Sequence, residues 1–225
     1  LNGGELEASE ARLRDAERWL EPADKQAENS VTQMVVVDEV EFRSLPASIA
    51  SARAYRALAL GDISATKVYA RQTLALVPED DLTHRTQAIA LLGMAEYASG
   101  DLQAAERFLL DFQAIMWKAG DIANAIGITF ILANIKLAQG RLREAVSAYQ
   151  QSLQLAVSRG TPFFIGASDL YRGLSELLCE QGDLEAAAQH LLTAQKLGEQ
   201  GALTGWPHRL CVAQARMKEV QGDLS

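Results

Sequence analysis

Cysteine, proline and histidine are scarce in this chain, and each shortage removes a class of protein. The only cysteines are Cys179 and Cys211, both on predicted helices. They read as two small buried thiols in a reducing compartment, not as a disulfide or half of a metal site. The three histidines are His84, His190 and His208, and none has a His or Cys three or four residues away. That spacing would place two ligands on one helix face, so a helical zinc site is excluded and no metal is expected. Proline occurs five times, mostly between stretches with helical periodicity, while Ala and Leu dominate. This favours an all-α chain. No apolar run reaches the length of a bilayer span, and no signal peptide is visible. The expectation is a cytoplasmic protein with no membrane contact. Basic runs are missing too, and the formal net charge is -8. An acidic surface repels phosphate backbones, so this segment is not expected to touch nucleic acid.

Motifs of chemistry are equally sparse. There is no Gly-x-x-x-x-Gly-Lys-Ser/Thr phosphate loop and no basic recognition helix. Ser64-Ala65-Thr66-Lys67 matches a Ser-x-x-Lys string but lacks its partner motifs. The sequence motifs assemble no nucleophile, base and orienter, so the segment is not read as an enzyme, and its catalytic residues are expected to be none.

What is present is a repeat. Gly61-Asp62-Ile63, Gly100-Asp101-Leu102, Gly140-Arg141-Leu142, Gly182-Asp183-Leu184 and Gly222-Asp223-Leu224 follow at steps of 39, 40, 42 and 40 residues. A weaker copy opens the chain at Gly4-Glu5-Leu6, 57 residues before Gly61. Self-similarity at this period means stacked supersecondary units, each burying its apolar face against its neighbours. The expected fold is an all-α right-handed superhelix of about five helix pairs, a single helical-repeat domain over 1–225. The chain starts at Leu1 and stops at Ser225 without designed caps, so it reads as a fragment of a longer protein.

Each full repeat divides into two helices. Leu102, Ala105, Leu109, Phe112 and Met116 are spaced for one buried face of a helix running to Lys118. Gly120 then supplies a left-handed stop and Asp121 the next N-cap. The following helices are predicted from about Ile122 to Gln139, Leu142 to Arg159 and Leu184 to Gln200. Asp62, Asp101, Asp121 and Asp183 are helix-start carboxylates that meet the helix dipole favourably. Thr161-Pro162, Ser44-Leu45-Pro46 and Trp206-Pro207 predict further helix starts, and the first helix should cover about Glu5 to Leu20. An irregular connection occupies about 21–43; it is either a functional, mobile loop or one whose valines tuck against the first helix pair. Trp117 reads as core filling between repeats, and Phe163-Phe164 cannot both face one core.

The units resemble the tetratricopeptide repeat, with about six extra residues each. Leu92-Gly93 followed by Gly100 and Ala105 carries that pattern, as does Leu132-Ala133 followed by Gly140, Ala145 and Tyr149. The 40-residue version resembles the superhelical domain of MalT-type regulators, the large ATP-dependent LuxR-family transcription activators. The carrying segments are Glu10-Ala11-Arg12 through Leu20, Arg53-Ala54-Tyr55 through Asp62, Leu76 through Asp81, Ala138 through Ala145, and Leu174 through Leu191. The resemblance implies a bacterial multidomain regulator in which this domain lies between a nucleotide-binding module and a helix-turn-helix domain. It further implies a role in receiving an inducer and relaying that event. ATP is then implied for the parent protein by resemblance only, and for this chain no cofactor is expected. The implied partners are a small-molecule inducer or regulatory protein and the other domains of the parent. The alternative function is a tetratricopeptide-like protein–protein scaffold with no small ligand.

In helix-pair solenoids the first helix of each pair lines the concave side. Aligning Leu92, Leu132 and Leu174 places Tyr55, Gln87, Met94, Phe130, Asn134, Asp169, Arg172, Glu176, Arg209 and Arg216 at a candidate ligand or partner groove. Aromatic and amide groups there suit a sugar, and the arginines suit a carboxylate. The opposing reading is a solvated charged groove with internal ion pairs such as Arg172 with Glu176.

Overall fold

The repeated Gly-Asp dipeptide is where one helix stops and the next starts. At Gly100 the backbone turns left-handed (φ 85°), which a residue with a side chain adopts only at a cost. The turn lets the Asp101 N–H reach back to the Glu96 carbonyl at 3.0 Å, closing the C-terminal carbonyls of the preceding helix. Asp101 Oδ1 then accepts from the Ala104 N–H at 3.0 Å and caps the following helix. The same reach-back bond recurs from Asp62, Asp121, Arg141, Asp183 and Asp223. The expected caps at Asp62, Asp121 and Asp183 are made with Ala65, Asn124 and Ala186.

The computed structural model describes residues 6–20, 36–158, 166–200 and 205–223. Its helices are α1 (Leu6–Arg18), α2 (Glu39–Ala59), α3 (Ile63–Leu76), α4 (Leu82–Ser99), α5 (Leu102–Ala119), α6 (Ile122–Gly127), α7 (Thr129–Ala138), α8 (Leu142–Ser158), α9 (Ala167–Glu180), α10 (Leu184–Gln200) and α11 (Trp206–Gln221). No strand occurs among the described residues. The chain divides into two compact units, 1–109 and 110–225, with the boundary inside α5.

Alanines let the helices approach closely. In the first unit Ala54 of α2, Ala70 of α3 and Ala88 of α4 are buried with Leu91 and Leu92, and Leu58, Tyr69 and Phe108 pack around them. In the second, Ala133, Ala145 and Ala156 surround the larger Tyr149, Leu170, Leu174 and Leu177. Ala187, Leu191, Ala213 and Met217 join α10 to α11. Tyr149 fits because α9 has no side chain at Gly173. A Cβ built there would lie 2.3 Å from the Tyr149 hydroxyl.

Four sequence expectations change here. The Ser44-Leu45-Pro46 helix start is wrong: α2 begins at Glu39, and Pro46 lies inside it. Asp38 Oδ1 accepts from the N–H groups of both Val40 and Glu41, which fixes the earlier start. The single helix expected over Ile122 to Gln139 is broken into α6 and α7 at Ile128, just after Gly127. Trp117 is 38% exposed, so it does not fill a core, and Cys211 is exposed where a buried thiol was expected. Thr161-Pro162 and Phe163-Phe164 lie outside the described residues, as does the part of the irregular connection over 21–35.

The attachment of α1 differs in kind from the rest. None of its described side chains is buried. Arg53 of α2 holds it instead, with Nη1 and Nη2 donating to the two Glu17 oxygens at 2.9 and 2.8 Å and Nη2 also reaching Glu10 at 3.3 Å. The hydrogen bond to Glu17 raises the Arg53 pKa further and holds Glu17 below the ordinary carboxylate value. A carboxylate whose pKa is depressed on folding stabilises that contact above its unfolded pKa and loses the contribution as pH falls toward its folded one. Arg53→Met is therefore expected to speed hydrogen exchange throughout α1 while leaving α4 protected. Acidification below about pH 4 or high salt should do the same to the unmodified chain. Unchanged exchange in α1 would show that it docks by other contacts.

Candidate functional site

Within each unit, residues about one repeat apart in sequence meet where successive first helices lie side by side. In the second unit this brings α9 and α11 together around Asp169. Its side chain has no exposed surface, and Arg209, forty residues later, grips it with Nε on Oδ1 at 2.8 Å and Nη2 on Oδ2 at 3.1 Å. Arg172 approaches the same Oδ1 with Nε at 3.4 Å, and its Nη1 donates to Glu176 at 2.8 Å. Arg216 lies 4.0 Å from Glu176 and is largely solvent-exposed. Burial pulls the Arg172 guanidinium pKa down, but Glu176 and Asp169 outweigh it and the net shift is upward. These five groups carry two negative and three positive charges, ordered from a dry carboxylate to an exposed guanidinium.

The aromatic and amide part of the second unit adjoins the core. Tyr149 donates its hydroxyl to Asn134 Oδ1 at 3.2 Å and lies 3.5 Å from the Phe130 carbonyl. Phe130 packs on the same cluster from a half-buried position. A separate cleft of about 510 Å³ is lined by Gln150, Gln154, Tyr171 and His190 among others. The Tyr171 and His190 rings are 5.7 Å apart there, and burial lowers the His190 pKa.

In the first unit Tyr55 and Gln87 line one cleft of about 390 Å³ with Ser48, Ser51 and His84. Ser51 donates to Gln87 Oε1 at 3.2 Å. His84 Nδ1 is 2.7 Å from Asp81 Oδ2, and its Nε2 is 3.2 Å from Ser48 Oγ. Met94 is half-buried further along α4. Burial raises the Tyr55 pKa, so its phenol keeps its proton at neutral pH. Ser48, Ser51, Asp81 and His84 were missed as site residues. Ser48–His84 and Ser51–Gln87 are each separated by 36 residues, about one helical turn short of a repeat, so aligning positions one repeat apart does not pair them.

The ten expected groove residues thus fall into two sets. Tyr55, Gln87 and Met94 belong to the first unit, and the other seven to the second. The arginines and acids of the second set form one network, with the expected Arg172–Glu176 ion pair inside it. No cluster of His, Cys, Asp and Glu suited to a metal occurs among the described residues. No helix of the described residues is long and apolar enough to cross a membrane.

The family described as "MalT-like TPR region" matches residues 47–225. No curated protein matches the chain. Among solved structures, the chain is similar to the Rap conjugation gene regulator of the plasmid pLS20, in a complex with the Phr* peptide. The TM-score is 0.60 at 14% identity, covering 86% of this chain and 60% of that one. The present chain therefore spans about three-fifths of that regulator's length, and the likeness concerns the fold.

Proposed function

Since the chain belongs to the family of MalT-like tetratricopeptide-repeat regions, we propose that it is the effector-sensing and protein-interaction domain of a bacterial LuxR-family transcription regulator. It works in the cytoplasm and relays an inducer signal to ATP-binding and DNA-binding domains elsewhere in the parent protein. The observation that carries this reading is the match over 47–225, which takes in the second unit and the first from residue 47 onward. Sensing acts by population shift: a ligand that prefers one arrangement of the helices raises its share by its difference in affinity. The Asp169 network suits an anionic group, because Arg216 stands at its exposed end with one distant carboxylate partner. The other reading, a scaffold that grips a peptide, is favoured by the peptide complex of the structural neighbour.

Thermal unfolding against panels of organic acids, oligosaccharides and synthetic peptides tests both. A ligand at 100 times its Kd is expected to add about 2.7 kcal/mol. For an acid or a peptide carboxylate, Arg216→Ala should abolish that shift while costing the unliganded protein under about 1 kcal/mol. Shifts with peptides alone favour the scaffold. If no compound in any panel gives a shift, the sensing role fails.

A further inference from the structure

We propose that Ser48 is a base-activated nucleophile that accepts an acyl group from an ester or thioester, with His84 as its base and Asp81 orienting that base. The proposal is independent of the regulator reading. Three side chains carry it: Ser48 on α2, His84 on α4, and Asp81 as the N-cap of α4. Asp81 Oδ2 lies 2.7 Å from His84 Nδ1, and a carboxylate there accepts the Nδ1 proton. The lone pair is then on Nε2, which faces the Ser48 hydroxyl at 3.2 Å. The hydroxyl proton has a second acceptor at the same distance, the Ser44 carbonyl. Rotation about the Ser48 side chain therefore moves the proton between a resting partner and the base. Asp81 Oδ1 is engaged separately, capping α4 through the His84 N–H at 3.1 Å. That bond fixes the carboxylate, and the carboxylate fixes the ring.

The surroundings offer Ser48 an open cleft with hydrogen-bonding groups on its wall. The cleft beside Ser48 is open to solvent on the face shared by Ser51, Tyr55 and Gln87. Ser51 holds the Gln87 carboxamide by its oxygen, which leaves the Nε2 hydrogens as donors. Those hydrogens and the Tyr55 phenol are hydrogen-bond donors lining the same cleft as Ser48.

In the first step Ser48 Oγ bonds to the carbonyl carbon while its proton passes to His84 Nε2. The bond from that carbon to the leaving oxygen or sulfur then breaks, and the leaving group takes the proton away as an alcohol or thiol. In the second step water gives a proton to the same Nε2 and attacks the acyl carbon. The acid departs and Ser48 recovers its hydrogen. No electrons are gained or lost overall.

A fluorophosphonate reagent tests this on the whole chain, since attack by Ser48 Oγ forms a P–O bond and releases fluoride with the serine proton. Peptide mapping by mass spectrometry is expected to find the adduct on Ser48 ahead of Ser64, an exposed serine on α3. His84→Gln should slow labelling about 100-fold or more, the usual contribution of a positioned base. Asp81→Asn keeps a capping side chain and should also slow it, with helix content by circular dichroism unchanged. Labelling of Ser48 no faster than of Ser64, or undiminished by both variants, overturns the proposal.

Discussion

Asp169→Ala is expected to destabilise the second unit by about 3–5 kcal/mol, which for a chain of this size lowers the melting temperature by roughly 10 °C. The size of the effect follows from burial. The carboxylate has no exposed surface, and it holds Arg209 by two bonds and Arg172 by one longer contact. Removing it leaves Arg172 with Glu176 alone in a site where its side chain is only 8% exposed. Arg209 is better placed to turn toward water, which sets the lower end of the range. Arg216→Ala should by contrast cost under about 1 kcal/mol, because an exposed pair at 4.0 Å contributes little. Denaturant unfolding of the two variants side by side decides it. Equal losses would mean that the network is not organised around Asp169.

Gly173→Ala is the second large effect, and it acts through packing. The added methyl would sit 2.3 Å from the Tyr149 hydroxyl and 2.5 Å from Cζ. Tyr149 is fully buried between α7 and α9, so the ring cannot simply swing aside. Overpacking of this kind costs about 1–3 kcal/mol. It should also break the Tyr149 bond to Asn134, since the hydroxyl must move first. In a double-mutant cycle with Tyr149→Leu, the two changes are expected to couple by about 0.5–3 kcal/mol. Strict additivity would show that α9 gives way instead of the tyrosine.

The joints of the repeat were legible in the sequence because a left-handed glycine followed by a capping carboxylate leaves few alternatives. Even the joint without an acid is instructive. At Gly140-Arg141 the arginine pairs with Glu144 at 2.6 Å, and this hydrogen bond holds the Glu144 pKa down to about 2. The start of α2 was misread because Pro46 mimics the first residue of a helix, while the two-bond cap from Asp38 lay in a stretch without periodicity. The break at Ile128 follows Gly127 in a run whose apolar spacing stays helical on both sides, so periodicity could not show it. Alignment of the repeats put Arg172, Glu176, Arg209 and Arg216 on one face with Asp169, and they do contact one another, yet the depth of Asp169 was not legible. Alignment gives the helix face, and burial depends on how closely the next helix approaches. Ser48 and His84 carry no motif between them; only the fold brings them within hydrogen-bonding distance.

The Gly-Asp joint has a consequence for how such a chain can grow. Each joint ends the helix before it and starts the helix after it using only residues within about five positions on either side. A duplication with its breakpoints at two joints would therefore insert a segment that carries both of its own boundary signals. A breakpoint inside a helix would rotate every later side chain by about 100° per residue added, until the next joint restores the phase. The steps of 39, 40, 42 and 40 residues show how much length variation the joints absorb. Gene duplication at these dipeptides is thus the least disruptive way for this lineage to lengthen or shorten its array.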